Sequence, residues 1–579
     1  MNKKKRNIKS RILLQLLMVL VIIISANFIS NIIYTRFDLT SEKRYTLSRE
    51  TMEIIKDLDD IVYFKIYLEG EFPAGFKRLR RETREILDEF RAYNKNIQYE
   101  FINPSASSDM GERNNTYQLL VQQGLNPTNL QVKTNSGIDQ QVIFPGAIIN
   151  YRDKEIPVEL LDAQMNTPPE AVLNNSIQAL EFKFANAIHK LTLRNKHNIV
   201  FIEGHGELDE METYDISQAF TQDYAVGRLT INGQLDALVD RRLVDTTMQT
   251  YEITPKFSAI IIAGPESKFD GKDRFIIDQY IMYGGKVMWL IDPLSASMDS
   301  IKSSESTIAI EKPLDLQSQL FTYGIKLNND LVTDLIALPI PLRTGQVGNQ
   351  AQIDFFTWYY FPLITPVSQH PIVRNLNALK TQFVSSIDTV SGGVKKTILL
   401  QTSPYSRTLN APAVINLGIT RQNPDERLYV GPQKSIAVLL EGEFLSDFRN
   451  RIPPEIENDK EIGFKGVSIN TTMIIISDGD IIRNQFHIPD GYPLPLGYDQ
   501  FTRETYGNKA FIRNAMSYLV DGPDLISSRS KEMRLRMLDK TKINNNKLFW
   551  QILNIIAPLL LIFVLAALMI WTRKRKYSH

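Results

Sequence analysis

The sequence predicts an α/β protein in which two transmembrane helices flank a large exterior region. That region reads as a βαβ, thioredoxin-like N-terminal domain followed by a doubly wound, flavodoxin- or amidotransferase-like domain with a β-rich insertion. Three observations carry the prediction. Aliphatic runs open and close the chain, at Ile12–Ile33 and Leu548–Trp571. Between them, β-branched runs alternate with helical stripes, the pattern of layered α/β folds. Continuous apolar strands at Asn198–Ile202, Ala259–Ala263 and Thr472–Ile476 end in Gly- and Asp-bearing loops, as in a parallel sheet covered on both faces.

Each terminal run exceeds the length of about 20 residues that crosses a hydrocarbon core. In the second, Trp550 and Trp571 stand where interfacial anchors belong, and Pro558 predicts a kink. Both outer tips are basic, with Lys3, Lys4, Lys5 and Arg6 at one end and Arg573–Lys576 at the other. The positive-inside rule therefore places both termini in the cytoplasm and the bulk of the chain in the periplasm, beyond the cytoplasmic (inner) membrane. The segment Ser530–Lys547, just outside the second span, is also basic and pulls locally the other way. The first span usually dominates, so the N-terminal cluster decides. The tail cluster also suits lipid headgroups.

Composition narrows the function classes. The 579 residues carry 66 basic and 65 acidic side chains, which gives no electrostatic case for nucleic acid. No cysteine is present, which removes thiol catalysis, CxxC redox chemistry and cysteine zinc sites. No GxxxxGK[ST], HExxH or GxSxG occurs, so the sequence predicts neither P-loop ATP binding nor the common metalloprotease and serine-hydrolase sites. The expectation is a protein with no cofactor, no metal and no catalytic residue.

In chain order, a cytoplasmic tip (1–11), the first span (12–33) and a connector (34–50) precede a βαβ plus β-rich domain (51–173). Ser48 caps a helix over Arg49–Leu58, Ile61–Leu68 is a strand, and a helix with its stripe at Phe76, Leu79, Leu87 and Phe90 leads to the strand Ile97–Ile102. Short strands follow to Leu160, and a connecting helix occupies 174–194. The α/β domain (195–330) contains the strand Asn198–Ile202, the strand Ala259–Ala263, the helix Arg274–Tyr283 closed by Gly284-Gly285, and the strand Lys286–Ile291. A β-rich insertion (331–470) includes strand-like Thr397–Gln401 and Ser435–Leu440. The chain returns to the α/β domain (471–522) and ends in a juxtamembrane segment (523–547), the second span (548–571) and a cytoplasmic tail (572–579).

Candidate chemistry sits at the strand ends. Glu203-Gly204-His205-Gly206-Glu207 follows a strand where open α/β sheets bind ligands. In extended chain its acidic, imidazole and acidic side chains would share one side and hold a polar ligand or a metal. The same residues also read as a tight turn, with Gly204 and Gly206 supplying unusual backbone angles and His205 a fixing hydrogen bond. Asp292, Asp478 and Asp480 end other strands, as helix caps, loop-surface residues or partners of His205 in a shared cleft.

Taken together, Asp38-Leu39-Thr40, Arg44-Tyr45-Thr46-Leu47-Ser48, Asn103-Pro104, Phe201–Glu207, Leu525–Arg529 and the Pro558 span with its basic tail resemble the GldG-like family of ABC-transporter auxiliary proteins of gliding motility. The resemblance implies a non-ATPase, membrane-anchored subunit working with a GldF-type permease and a GldA-type cytoplasmic ATPase. The family often has Asp where Asn103 stands. Two further functions stay open on the residues themselves: a periplasmic receptor module for a glycan or polymer, and a membrane-bound hydrolase using the Gly204–Gly206 loop, which lacks a recognisable nucleophile and base. A deep cleft lined by His205, Asp292 and aromatics would favour the receptor; a filled strand-end surface would favour coupling.

Overall fold

A computed structural model describes residues 46–522 except 135–136, 162–167, 194–195, 246, 248–249, 305, 348–349 and 422–423, together with 16–22, 24–25 and 547–577. The cytoplasmic tip (1–11), most of the connector (34–50) and nearly all of the juxtamembrane segment (523–547) lie outside the described residues. So does most of the first span, of which 16–22 and 24–25 are helical and exposed. The chain forms two compact units, Met1–Lys531 and Glu532–His579.

In the first unit, Ser48 caps α1 (Arg49–Lys56) by accepting the Thr51 N–H. Strand β1 (Val62–Ile66), α2 (Ala74–Tyr93) and β2 (Ile97–Phe101) form a parallel βαβ unit. Helix α3 (Met110–Gln122) and the hairpin β3 (Thr128–Thr134)–β4 (Gly137–Ile143) precede a second hairpin, β5 (Gly146–Tyr151)–β6 (Lys154–Glu159). The β5 strand joins β1 antiparallel, giving a four-stranded sheet of order β2-β1-β5-β6. Helix α4 (Pro169–Thr192) is longer than the sequence predicts, with Pro169 in its first turn and most of its length buried.

A nine-stranded sheet forms the larger core. Its parallel part comprises β7 (Asn198–Glu203), β8 (Ala225–Thr230), β11 (Ala259–Ala263), β12 (Val287–Leu290) and a strand at Thr471–Ile476, in the spatial order β8-β7-β11-β12-Thr471–Ile476. Helix α5 (Tyr214–Thr221) connects β7 to β8, whereas a polar hairpin, β9 (Val239–Asp245)–β10 (Thr250–Pro255), lies between β8 and β11. Helix α6 (Gly271–Met282) connects β11 to β12, and α8 (Asn508–Asp521) follows the last strand. Alternate side chains serve opposite cores. Ile199, Phe201, Ile261 and Ile474 pack with α5 and α8, while Val200, Ile202, Ile260 and Ile475 pack with α6 and α7 (Gln317–Tyr323). Burial on both faces explains the unbroken apolar runs, each such side chain contributing about 1.5–3 kcal/mol.

The insertion departs from its predicted limits of 331–470. It begins directly after β12: Leu294–Ser295 pairs with Ser306–Glu311, which pairs with Ala413–Asn416. Part of it returns to the main sheet as β13 (Ile325–Leu327), β14 (Ile387–Thr389), β15 (Lys395–Gln401) and β16 (Ser435–Gly442), all antiparallel; β16 pairs with Thr471–Ile476, which is therefore β17. The predicted strands at Thr397–Gln401 and Ser435–Leu440 thus extend the α/β sheet.

Among its described residues, the second unit is one helix, α9 (Lys547–Tyr577). Its segment Phe549–Arg575, which contains an 18-residue stretch of mean hydropathy 2.8, is long and apolar enough to cross a membrane. Pro558 lies inside it, and the Asn554 amide donates back to the Trp550 carbonyl.

Candidate functional site

The strand ends place the sequence-predicted residues in two clusters. The loop after β7 is not extended, because Gly204 and Gly206 adopt φ of 115° and 77°. This separates the three side chains expected on one side. Glu203 turns to Arg228 of β8, whose guanidinium also donates to the Leu208 carbonyl (2.5 Å) and lies over the Phe201 ring. His205 and Glu207 turn inward. Glu207 accepts the His205 backbone N–H (2.7 Å) and faces its Nδ1 (3.1 Å), while Nε2 lies 3.0 Å from Asp273 of α6. The imidazole stacks on Phe269 with ring centroids 3.7 Å apart. Asp273 also accepts the Gly233 N–H (2.7 Å), and Asp270 caps α6 by accepting the N–H groups of Lys272 and Asp273.

His205 is therefore buried between two carboxylates. Burial disfavours its charged form, but the hydrogen bonds and charges of Glu207 and Asp273 outweigh that and hold its pKa above the ordinary histidine value. With both ring nitrogens engaged and one face covered, the imidazolium has no lone pair for a ligand. It ties the β7 loop to α6. Its carbonyl accepts the N–H groups of Glu266 (2.9 Å) and Ser267 (2.8 Å), which binds the β7 and β11 loops across the point where the strand order reverses.

The second cluster joins the ends of β11, β12 and β17. Asp292 accepts the Gly479 N–H (2.8 Å) and lies 4.0 Å from Lys312, whose ammonium meets Glu266 at 2.7 Å. Asp478 is not at the loop surface as expected. It is fully buried, accepting the N–H of Gln382 (3.2 Å) and of Asp480 (2.9 Å). Asp480 pairs with Arg483 (2.6 Å), which reaches Glu212 (3.1 Å). None of the three aspartates caps a long helix. Burial pushes Asp292 up to about 6 and, with the neighbouring carboxylates, raises Asp478 well above the usual range. Among the described residues, Glu266 links His205 to this cluster, through a backbone hydrogen bond at one end and the Lys312 ion pair at the other.

Where the β11, β12 and β17 loops meet at Gly264, Asp292 and Gly479, the contact is close. A Cβ on Gly479 would stand 2.5 Å from Asp292 Oδ2 and 2.8 Å from the Gly264 Cα. Among the described residues, no group of three His, Asp or Glu side chains could hold a metal ion.

The sequence reading did not find Arg228, Phe269, Asp273, Lys312 or Arg483. One signal was available: Asp270-Gly271-Lys272-Asp273 has the acidic start of a helix, three residues before the predicted one.

A family model described as an ABC-type uncharacterized transport system matches residues 196–515, and a domain of unknown function matches residues 41–150. Among solved structures, the chain is similar to the mmIFT52 N-terminal domain, at 13% identity over 56% of this chain and 98% of that one, with a TM-score of 0.30. It is also similar to a ThuA-like protein from Parabacteroides merdae ATCC 43184, at 7% identity over 57% of this chain and 92% of that one, with a TM-score of 0.23. Likeness at that level carries no argument. No curated protein matches.

Proposed function

Because this chain belongs to the ABC-type uncharacterized transport system family, whose auxiliary role it shares, we propose that it is a non-catalytic coupling subunit of such a system. In this reading it is a GldG-like protein that passes the movement of a GldF-type permease, driven by a GldA-type ATPase, to domains outside the inner membrane, in gliding motility or an associated export process. Two spans anchor it, with both termini in the cytoplasm and the bulk in the periplasm.

The observation that carries the reading is the closed strand end. Open α/β sheets bind ligands in the crevice beyond the carboxyl ends of their strands. Here Gly264, Asp292 and Gly479 fill that position with backbone and hydrogen bonds, and His205 is locked between Glu207 and Asp273. A surface filled in this way suits rigid transmission better than reception.

Full-length tagged protein, cross-linked in cells and purified from detergent-solubilised membranes, is expected to bring with it a polytopic permease and a P-loop ATPase. A chain that purifies alone after cross-linking, or whose deletion leaves both motility and export intact, overturns the proposal.

A further inference from the structure

A hollow of about 420 Å³ beside α3 is lined mainly by apolar groups, but a larger one of about 680 Å³, away from both strand-end clusters, is of a different character. It lies where α7 and β13 meet the antiparallel pair Asp330–Asp334 and Ser406–Asn410, and its volume falls within the range of small-ligand sites.

The floor is fixed by bonds that leave the rim free. Asp330, buried, accepts the Ser386 N–H (2.8 Å) and the Ser386 hydroxyl (2.6 Å). Asn328 donates to Ser386 Oγ (3.0 Å) and to Asp388 (2.9 Å). Above this floor stand the Asn329 amide, the Asn410 amide and the Lys326 ammonium, none with a side-chain partner among the described residues, and the Phe321 ring, 53% exposed.

These groups form a selective set. Each amide presents a donor and an acceptor in one plane, and Lys326 adds donors only. An exposed aromatic face beside such groups matches a sugar ring, which offers vicinal hydroxyls at its edge and C–H bonds on its face. A phosphate-bearing ligand would call for more positive charge than one lysine beside the Asp330 carboxylate. An acyl chain would leave the amides desolvated and unpaired.

We infer that this hollow is a carbohydrate-binding site, in which Phe321 stacks on a sugar ring while Asn329 and Asn410 pair with its hydroxyls and Lys326 meets a hydroxyl, ring oxygen or uronate. The site is separate from the closed strand end, so it stands or falls independently of the coupling role.

The test uses the full-length chain in a detergent without a sugar headgroup, with saturation-transfer NMR and calorimetry. The probes are cellobiose, N,N′-diacetylchitobiose and an unsaturated uronic-acid disaccharide, with a tripeptide as control. At least one disaccharide is expected to bind, and Phe321→Ala and Asn410→Ala each to weaken it about tenfold or more at an unchanged melting temperature. Phe321→Trp should retain binding. A polymer of the same sugar binding more tightly than the disaccharide identifies a polysaccharide ligand, and equal affinity a free sugar. Should Phe321→Ala disturb folding, the exposed Asn410 decides. No sugar binding up to about 10 mM, a dissociation constant worth less than 3 kcal/mol, overturns the proposal. So does affinity insensitive to both substitutions, or stronger binding of the tripeptide.

Discussion

Replacing His205 by alanine separates a lock from a ligand site. The substitution removes an imidazolium held 3.1 Å from Glu207 and 3.0 Å from Asp273, carboxylate side chains only 1% and 10% exposed. Removing one partner of a buried ion pair leaves the other charge uncompensated, at a cost of about 3–5 kcal/mol. At about 2–4 °C per kcal/mol for a domain of this size class, the melting temperature should fall by roughly 6–20 °C. The pH dependence carries its own sign. The folded pKa of His205 is raised, so its contribution is complete below the unfolded value of about 6.5 and is lost as pH rises through the folded value. The gap between wild type and His205→Ala should therefore be widest near or below about pH 6 and narrow above the raised value. In an Asp273→Asn background the same substitution should cost less, because one of the stranded charges is already gone. Differential scanning fluorimetry of detergent-solubilised full-length protein measures all three. A His205→Ala protein with unchanged melting temperature and normal abundance that fails in function would refute the lock and restore a ligand role.

Three further outcomes are expected. Gly479→Ala forces a Cβ against Asp292 and Gly264 and should cost about 1–3 kcal/mol, read as a lower melting temperature; an unshifted transition would show that the strand end has slack. Alkaline phosphatase fused at Gly392, in an exposed loop, should be active and a fusion after His579 inactive, and the reverse pattern ends the topology argument. Replacing Ile552–Ala567 by an unrelated apolar helix should preserve insertion but abolish co-purification with the permease; undiminished co-purification would reduce α9 to an anchor.

What was legible in the sequence follows burial. The strand Ala259–Ala263 lies where its apolar run places it, because both faces are covered and no polar residue interrupts the pattern. The edge strand β8 escapes notice because Gly227 and Arg228 interrupt it and its outer side faces solvent. The long hairpin Ala337–Val347 with Gln350–Ile364 escapes for another reason: Pro339 and Pro341 argue against a strand, yet they are accommodated in a two-stranded ladder with bulges. At the candidate site, the alternate spacing of Glu203, His205 and Glu207 is visible in the sequence, and so is the favoured reading, a tight turn made by the two glycines that undo that alternation. The decisive partner, Asp273, lies 68 residues downstream and is brought back by the β7–β11 pairing, which no local pattern encodes.

Helix α4 explains why a closed strand end bears on function. Phe184 meets Phe64 and Phe90 of the first sheet's core edge-on, at 5.4 and 6.5 Å, while Phe182 and Ala185 belong to the core of the nine-stranded sheet. Near its C-terminal end, Lys190 pairs with Asp223 (2.7 Å), which Arg513 of α8 also reaches at 3.1 Å. Burial pulls Lys190 down and works against the charge on Asp223, yet the two cations hold Asp223 below the usual carboxylate range. Relative motion is the default between domains joined by a small polar interface. Here one helix contributes side chains to both cores, and the largely buried Lys190–Asp223 pair, reached by the more exposed Arg513, ties it to the second, which works against a hinge at this junction. A displacement applied to one sheet is passed through α4 to the other, and the close contact of Gly264, Asp292 and Gly479 braces the ends of β11, β12 and β17. Such stiffness suits a chain that relays another protein's work.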